Sequence, residues 1–96
     1  MHSAQRAALE RLIAIARSDT GRSRRVAGFL LAWWNAQECG GFDLTDLWGV
    51  DRSIAADMLT VFALLIECRD YPDGLGYRKQ FEAIVRFWRS GLNAHE

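Results

Sequence analysis

The sequence predicts an all-α protein, a compact bundle of four main helices plus one short helix. Three observations predict it. Apolar residues recur at helical spacing in four separate stretches, the stretches are bounded by capping and turn residues, and the connections between them are short. Ninety-six residues make one domain, 1–96, with frayed ends expected at about 1–3 and 91–96.

Ser3 is expected to cap a first helix from about Ala4 to Arg17. Ala8, Leu9, Leu12, Ile13, Ile15 and Ala16 share one face, and Arg6, Glu10, Arg11 and Arg17 take the other. Ser18 to Ser23 reads as a turn, with Thr20 or Ser23 capping the next helix. That second helix is expected from about Arg24 to Glu38, stopped by Gly40. Its apolar arc, from Val26 through Trp34, covers about 200°. Gly28 and Ala32 on its back would admit another helix closely. Asp43 caps a short helix, Leu44–Trp48, which ends at Gly49.

Asp51 is expected to cap a long helix, about Arg52 to Arg69, that is apolar almost all round. Such a helix is either the buried centre of a bundle or part of an oligomer interface, and the bundle is expected to centre on it. Tyr71-Pro72-Asp73-Gly74 reads as a turn. The last helix, about Tyr77 to Ser90, stacks Tyr77, Phe81, Ile84, Val85 and Trp88 on one stripe, with Arg78–Glu82 and Glu82–Arg86 spaced for pairing on the other.

Composition narrows the function. The longest apolar runs, Val26–Trp34 and Val61–Ile66, fall well short of the roughly 20 residues that span a bilayer. The first residues lack the charged start, apolar run and cleavage site of a signal peptide, so a cytoplasmic protein without a membrane partner is expected. Cys39 and Cys68 form no C-x-x-C pair, and the two histidines, His2 and His95, stand at opposite ends. Two buried free thiols, no metal and no cofactor are therefore expected. With no histidine in the body and no nucleophile or phosphate-loop motif, the sequence reads as non-enzymatic.

The net charge of zero hides an asymmetry of +4 over residues 1–37, −6 over 38–73 and +2 over 74–96. Pairing of the acidic middle with its basic flanks is the simplest use of that pattern. Arg17, Arg22, Arg24 and Arg25 cluster near the start of the second helix, where cations oppose the helix dipole. They are either an anion or nucleic-acid contact or, as the favoured reading, partners of nearby acids. The segment from Leu44 to Met58 imitates a helix-turn-helix, but its outward face carries Asp51 and Asp57, which disfavour phosphate.

Four tryptophans are more aromatic area than a bundle of this size needs for its core. Trp33 and Trp34 project about 100° apart, so one is expected in the core and the other on a second contact surface. Trp33, Trp34, Phe42 and Trp48 are the candidate partner-binding residues.

The run Trp33-Trp34-Asn35-Ala36, then Cys39-Gly40-Gly41-Phe42-Asp43-Leu44-Thr45-Asp46-Leu47-Trp48, with Asp51, Ile54-Ala55 and Asp57-Met58, resembles an uncharacterised family. Its members are short bacterial proteins commonly encoded on proteobacterial plasmids and integrative elements. The resemblance implies an accessory role in a mobile-element context, with no functional residues assigned. The expectation is a self-associating interaction module, its partner a second copy or another protein. A nucleic-acid-associated regulator is the alternative, and a small-molecule bundle with an aromatic pocket the third reading.

Overall fold

The computed structural model describes residues 1–90. The expected fraying at 91–96, and with it His95, lies outside the described residues. Four α-helices, α1 (Ser3–Ala16), α2 (Gly21–Cys39), α3 (Arg52–Cys68) and α4 (Arg78–Trp88), are joined by two 3-10 turns, Leu44–Gly49 and Pro72–Leu75. The radius of gyration is 12.5 Å, matching the roughly 12.5 Å of a compact domain of this length. The all-α bundle expected from periodicity is the observed fold.

The core assembles from the expected stripes. Ala8, Leu9, Leu12, Ile13 and Ala16 of α1 meet Val26, Ala27, Leu30 and Leu31 of α2, and Phe81, Ile84 and Val85 close the cluster from α4. The centre is α1, which packs against α2, α3 and α4. The long apolar helix expected at the centre instead lies at the edge. Ile54, Met58, Val61 and Leu64 of α3 are buried, mainly against α1, while Leu59, Phe62 and Ile66 face outward. The reason is spacing: the buried residues recur on one side of α3, and α2 and α4 give it little cover elsewhere.

Several boundaries shift for local reasons. His2, not Ser3, caps α1; its backbone N–H donates to Gln5 Oε1 at 3.4 Å. Helix α2 begins at Gly21 rather than Arg24, because Thr20 Oγ1 accepts the Ser23 N–H at 3.0 Å. It also breaks near its end: Asn35 leaves helical geometry (φ −166°, ψ 81°) and its Oδ1 accepts the Glu38 N–H at 3.2 Å. Asn35 thus caps a fresh terminal turn, the local bonding that makes asparagine a poor helix interior and a good N-cap. The short Leu44–Gly49 element is 3-10 rather than α, and Asp43 caps it as expected. Asp51 precedes α3 but makes no capping bond, its carboxylate being turned to Arg22. Arg69 lies beyond α3, in the left-handed region at φ 52°.

The last helix holds the ends of the first two. Trp88 Nε1 donates to the carbonyl of Ala16 at 2.7 Å, and Arg89 Nε to the carbonyl of Cys39 at 3.0 Å. Helix C-termini leave carbonyls without helical partners, and donors placed there satisfy them. Across the bundle, Tyr77 is buried between charges: its hydroxyl donates to Glu10 Oε2 at 2.8 Å and accepts from Arg6 Nη1 at 2.9 Å. Arg11 forks onto Asp57 at 2.8 and 2.9 Å, tying α1 to α3.

Candidate functional site

Because α3 rests on α1 and barely touches α2, a groove of about 580 Å³ opens between α2 and α3. The α2 wall presents Phe29, Ala32 and Trp33, and the α3 wall Ala55, Met58, Leu59, Phe62 and Leu65. One end is closed by Phe42, Leu44 and Leu47. Each closing residue has a local cause. Gly40 and Gly41 turn the chain back after α2, and Phe42 then packs edge-on to Phe29, with centroids 5.4 Å apart at 75°. Gly28 faces that ring, and a Cβ there would sit 4.0 Å from Phe42 Cδ1, an ordinary van der Waals contact that an alanine would also make. The small residues on the back of α2 thus face Phe42 and the groove rather than another helix. Leu44 and Leu47 are set by the Asp43-capped turn. The Thr45 hydroxyl and backbone N–H both bond the Asp43 carboxylate, at 2.8 and 2.9 Å, and hold its pKa below the usual range.

None of the groove's lining residues is titratable. Its chemistry is apolar contact. The apolar surface also continues past the groove, along the outer face of α3. Leu59 is 72% exposed, Phe62 53% and Ile66 61%, while Leu44 at the groove's end is 72% exposed. With Ala55 these α3 residues recur at i, i+4, i+7 and i+11 and span about 60° of the helix surface. That is the narrow seam by which one helix packs on another.

The four candidate aromatics separate. Trp33 lines the groove, and its ring meets Phe81 edge-on at 5.7 Å and 88°. Phe42 closes the groove's end. Trp34 is half-buried against the core and outside the groove. Trp48 is 85% exposed. The expected division of Trp33 and Trp34 between core and a separate surface does not hold. Trp33 Nε1 donates to the Asp70 carbonyl and Trp34 Nε1 to Asp73 Oδ1, both at 3.0 Å. Both therefore face one loop, and both line one small cleft with Asn35 and Tyr71. Neighbouring side chains converge here because each indole N–H finds a partner in the same turn.

The arginines divide as well. Arg22 Nη1 bonds Asp51 Oδ2 at 3.1 Å. Arg25 Nη1 reaches the Gly49 carbonyl at 3.4 Å, and its Nε lies 3.9 Å from Asp46 Oδ1. The acidic middle segment takes up these two, which offsets their unfavourable place in the first turns of α2. Arg17 and Arg24 are exposed. The thiols differ: Cys39 is buried, and burial pushes its pKa up, whereas Cys68 is only half-buried.

Sequence reasoning misses Leu44, Leu47 and Leu59 as site residues, although the signal is present. A helix apolar all round carries more than one stripe, and the second stripe on α3 keeps its own regular spacing. It misses Gln5 too, a polar residue that is 2% exposed and donates to Glu67 Oε1 at 3.1 Å.

Fold and site together define a small helical domain with an open apolar groove and an uncovered helix face. The chain belongs to DUF7673, a family of unknown function, whose model matches residues 6–89. No curated protein and no solved structure matches it. Among the described residues, no helix is long and apolar enough to cross a membrane.

Proposed function

We propose that this protein is a non-enzymatic helical interaction module that self-associates through the α2–α3 groove and the outer face of α3. One observation carries the reading: an apolar seam with large exposed side chains runs along α3 beside a groove without titratable groups. Contiguous exposed apolar surface of this kind marks association sites. A groove of this volume would also suit a small apolar ligand. A ligand seated there would leave Ile66 uncovered, so a helical partner accounts for more of the surface. The arginine-based nucleic-acid reading has less support, because Arg22 and Arg25 are engaged by acids and a carbonyl. A cytoplasmic, accessory role on a bacterial mobile element belongs to the same proposal and rests on the resemblance of the Trp33–Met58 run.

Sedimentation equilibrium of the full chain at micromolar concentrations tests the reading. The wild type is expected to sediment as a dimer, and Leu59→Glu/Phe62→Glu as a monomer with unchanged helical circular dichroism. A wild type that stays monomeric at the highest soluble concentration overturns it.

A further inference from the structure

The outer face of α3 carries information about the direction in which a second copy would lie. Ala55, Leu59, Phe62 and Ile66 form the seam. Their spacing is symmetric about the midpoint between Leu59 and Phe62. If a second α3 runs antiparallel across that midpoint, Ala55 falls opposite Ile66 of the second copy and Leu59 opposite Phe62. Each small or aliphatic side chain then meets a larger one, the complementarity a tightly packed seam needs.

Charge on one flank selects the same direction. Arg52 and Glu67 lie on the same side of the seam, one near each end of α3. Neither makes an ion pair within the described residues; Glu67 accepts only from the neutral Gln5 side chain. A twofold axis across an antiparallel pair keeps matching flanks together. Arg52 is then brought beside Glu67 of the second copy, offset by about 3 Å along the helix at 1.5 Å per residue. The symmetry makes the pair twice. A parallel arrangement instead places the two Arg52 side chains on opposite flanks of the seam and separates Arg52 from Glu67 by about 22 Å along the axis, so no such pair forms. Opposite charges within side-chain reach favour the antiparallel register, and the parallel one has no equivalent pair.

We propose that two copies of this chain pair antiparallel through α3, with Leu59 against Phe62, Ala55 against Ile66 and two symmetric Arg52–Glu67 ion pairs. This rests on the self-association reading above and adds direction and register to it.

Charge reversal and crosslinking on the full chain test the pairing. Arg52→Glu alone and Glu67→Arg alone should each weaken dimerisation by about tenfold, as like charges replace two exposed pairs. The double variant Arg52→Glu/Glu67→Arg should restore it. Because Glu67 also accepts from buried Gln5, crosslinking supplies a readout that leaves Glu67 intact. An equimolar mixture of Ala55→Cys and Ile66→Cys chains should form a mixed disulfide dimer on mild oxidation. Neither variant alone should do so beyond the wild type, whose Cys39 and Cys68 set the background. A dimer in which Ala55→Cys crosslinks to itself, or in which charge reversal is not rescued and the mixture does not crosslink, overturns the register and leaves self-association standing. A monomeric wild type removes both.

Discussion

The indole N–H of Trp88, the last residue of α4, donates to the carbonyl of Ala16, the last residue of α1, at 2.7 Å. Ala16 is fully buried. Replacement by phenylalanine keeps much of the ring but removes the donor, leaving that carbonyl without it. Trp88→Phe is expected to destabilise the fold by about 1–3 kcal/mol, the cost of an unsatisfied buried acceptor. Urea unfolding followed by circular dichroism measures it.

Tyr77 gives the fold an alkaline limit. Burial pushes its pKa above the ordinary value, and the neighbouring Glu10 carboxylate adds to that, against the opposing effect of Arg6. The folded state therefore favours the neutral phenol. This contribution is fully present below the unfolded tyrosine pKa of about 10 and is lost as pH rises through the higher folded value. Tyr77→Phe should cost about 1 kcal/mol at neutral pH. Thermal melts from pH 9 to 11 should show a shallower alkaline decline for the variant than for the wild type.

Gly40 ends α2 at φ 96° and ψ 154°, a region that only glycine occupies readily. Nothing lies within 4 Å of a Cβ built there, so crowding plays no part. Gly40→Ala is expected to cost about 1–3 kcal/mol through backbone strain alone. By contrast, Gly41→Ala, at a glycine without positive φ and with equal space, should be nearly silent in the same denaturation series.

Phe81 is the largest fully buried side chain, and Trp33 stands edge-on to it. Phe81→Ala should remove about 3–5 kcal/mol through lost transfer energy and a residual cavity. In a domain with a total stability of about 5–15 kcal/mol that leaves a marginal fold. A lowered urea midpoint with loss of near-ultraviolet tryptophan ellipticity is the expected result.

The helices are legible in the sequence wherever one stripe decides the outcome. The α4 stripe from Tyr77 to Trp88 and the α1 face from Ala8 to Ala16 can be read directly, because a single apolar side has only one place to go. Helix α3 cannot, since a helix apolar all round does not reveal which side meets α1 and which stays open. The indoles of Trp33 and Trp34 escape for another reason. Angular separation on a helix ignores the length of the side chain and its need for an acceptor, and the loop at Asp70 and Asp73 supplies two. Asn35 reads as helix interior because its capping bond to Glu38 depends on a break that periodicity does not register.

The hold of α4 on the other helices also bears on the order of events during synthesis. The carbonyls of Ala16 and Cys39 gain their donors from Trp88 and Arg89, more than 70 and about 50 positions downstream. On a ribosome, α1 and α2 emerge long before either donor exists, and water must serve those carbonyls meanwhile. Those two carbonyls therefore gain their finished hydrogen bonds only when residues 88 and 89 are free to dock.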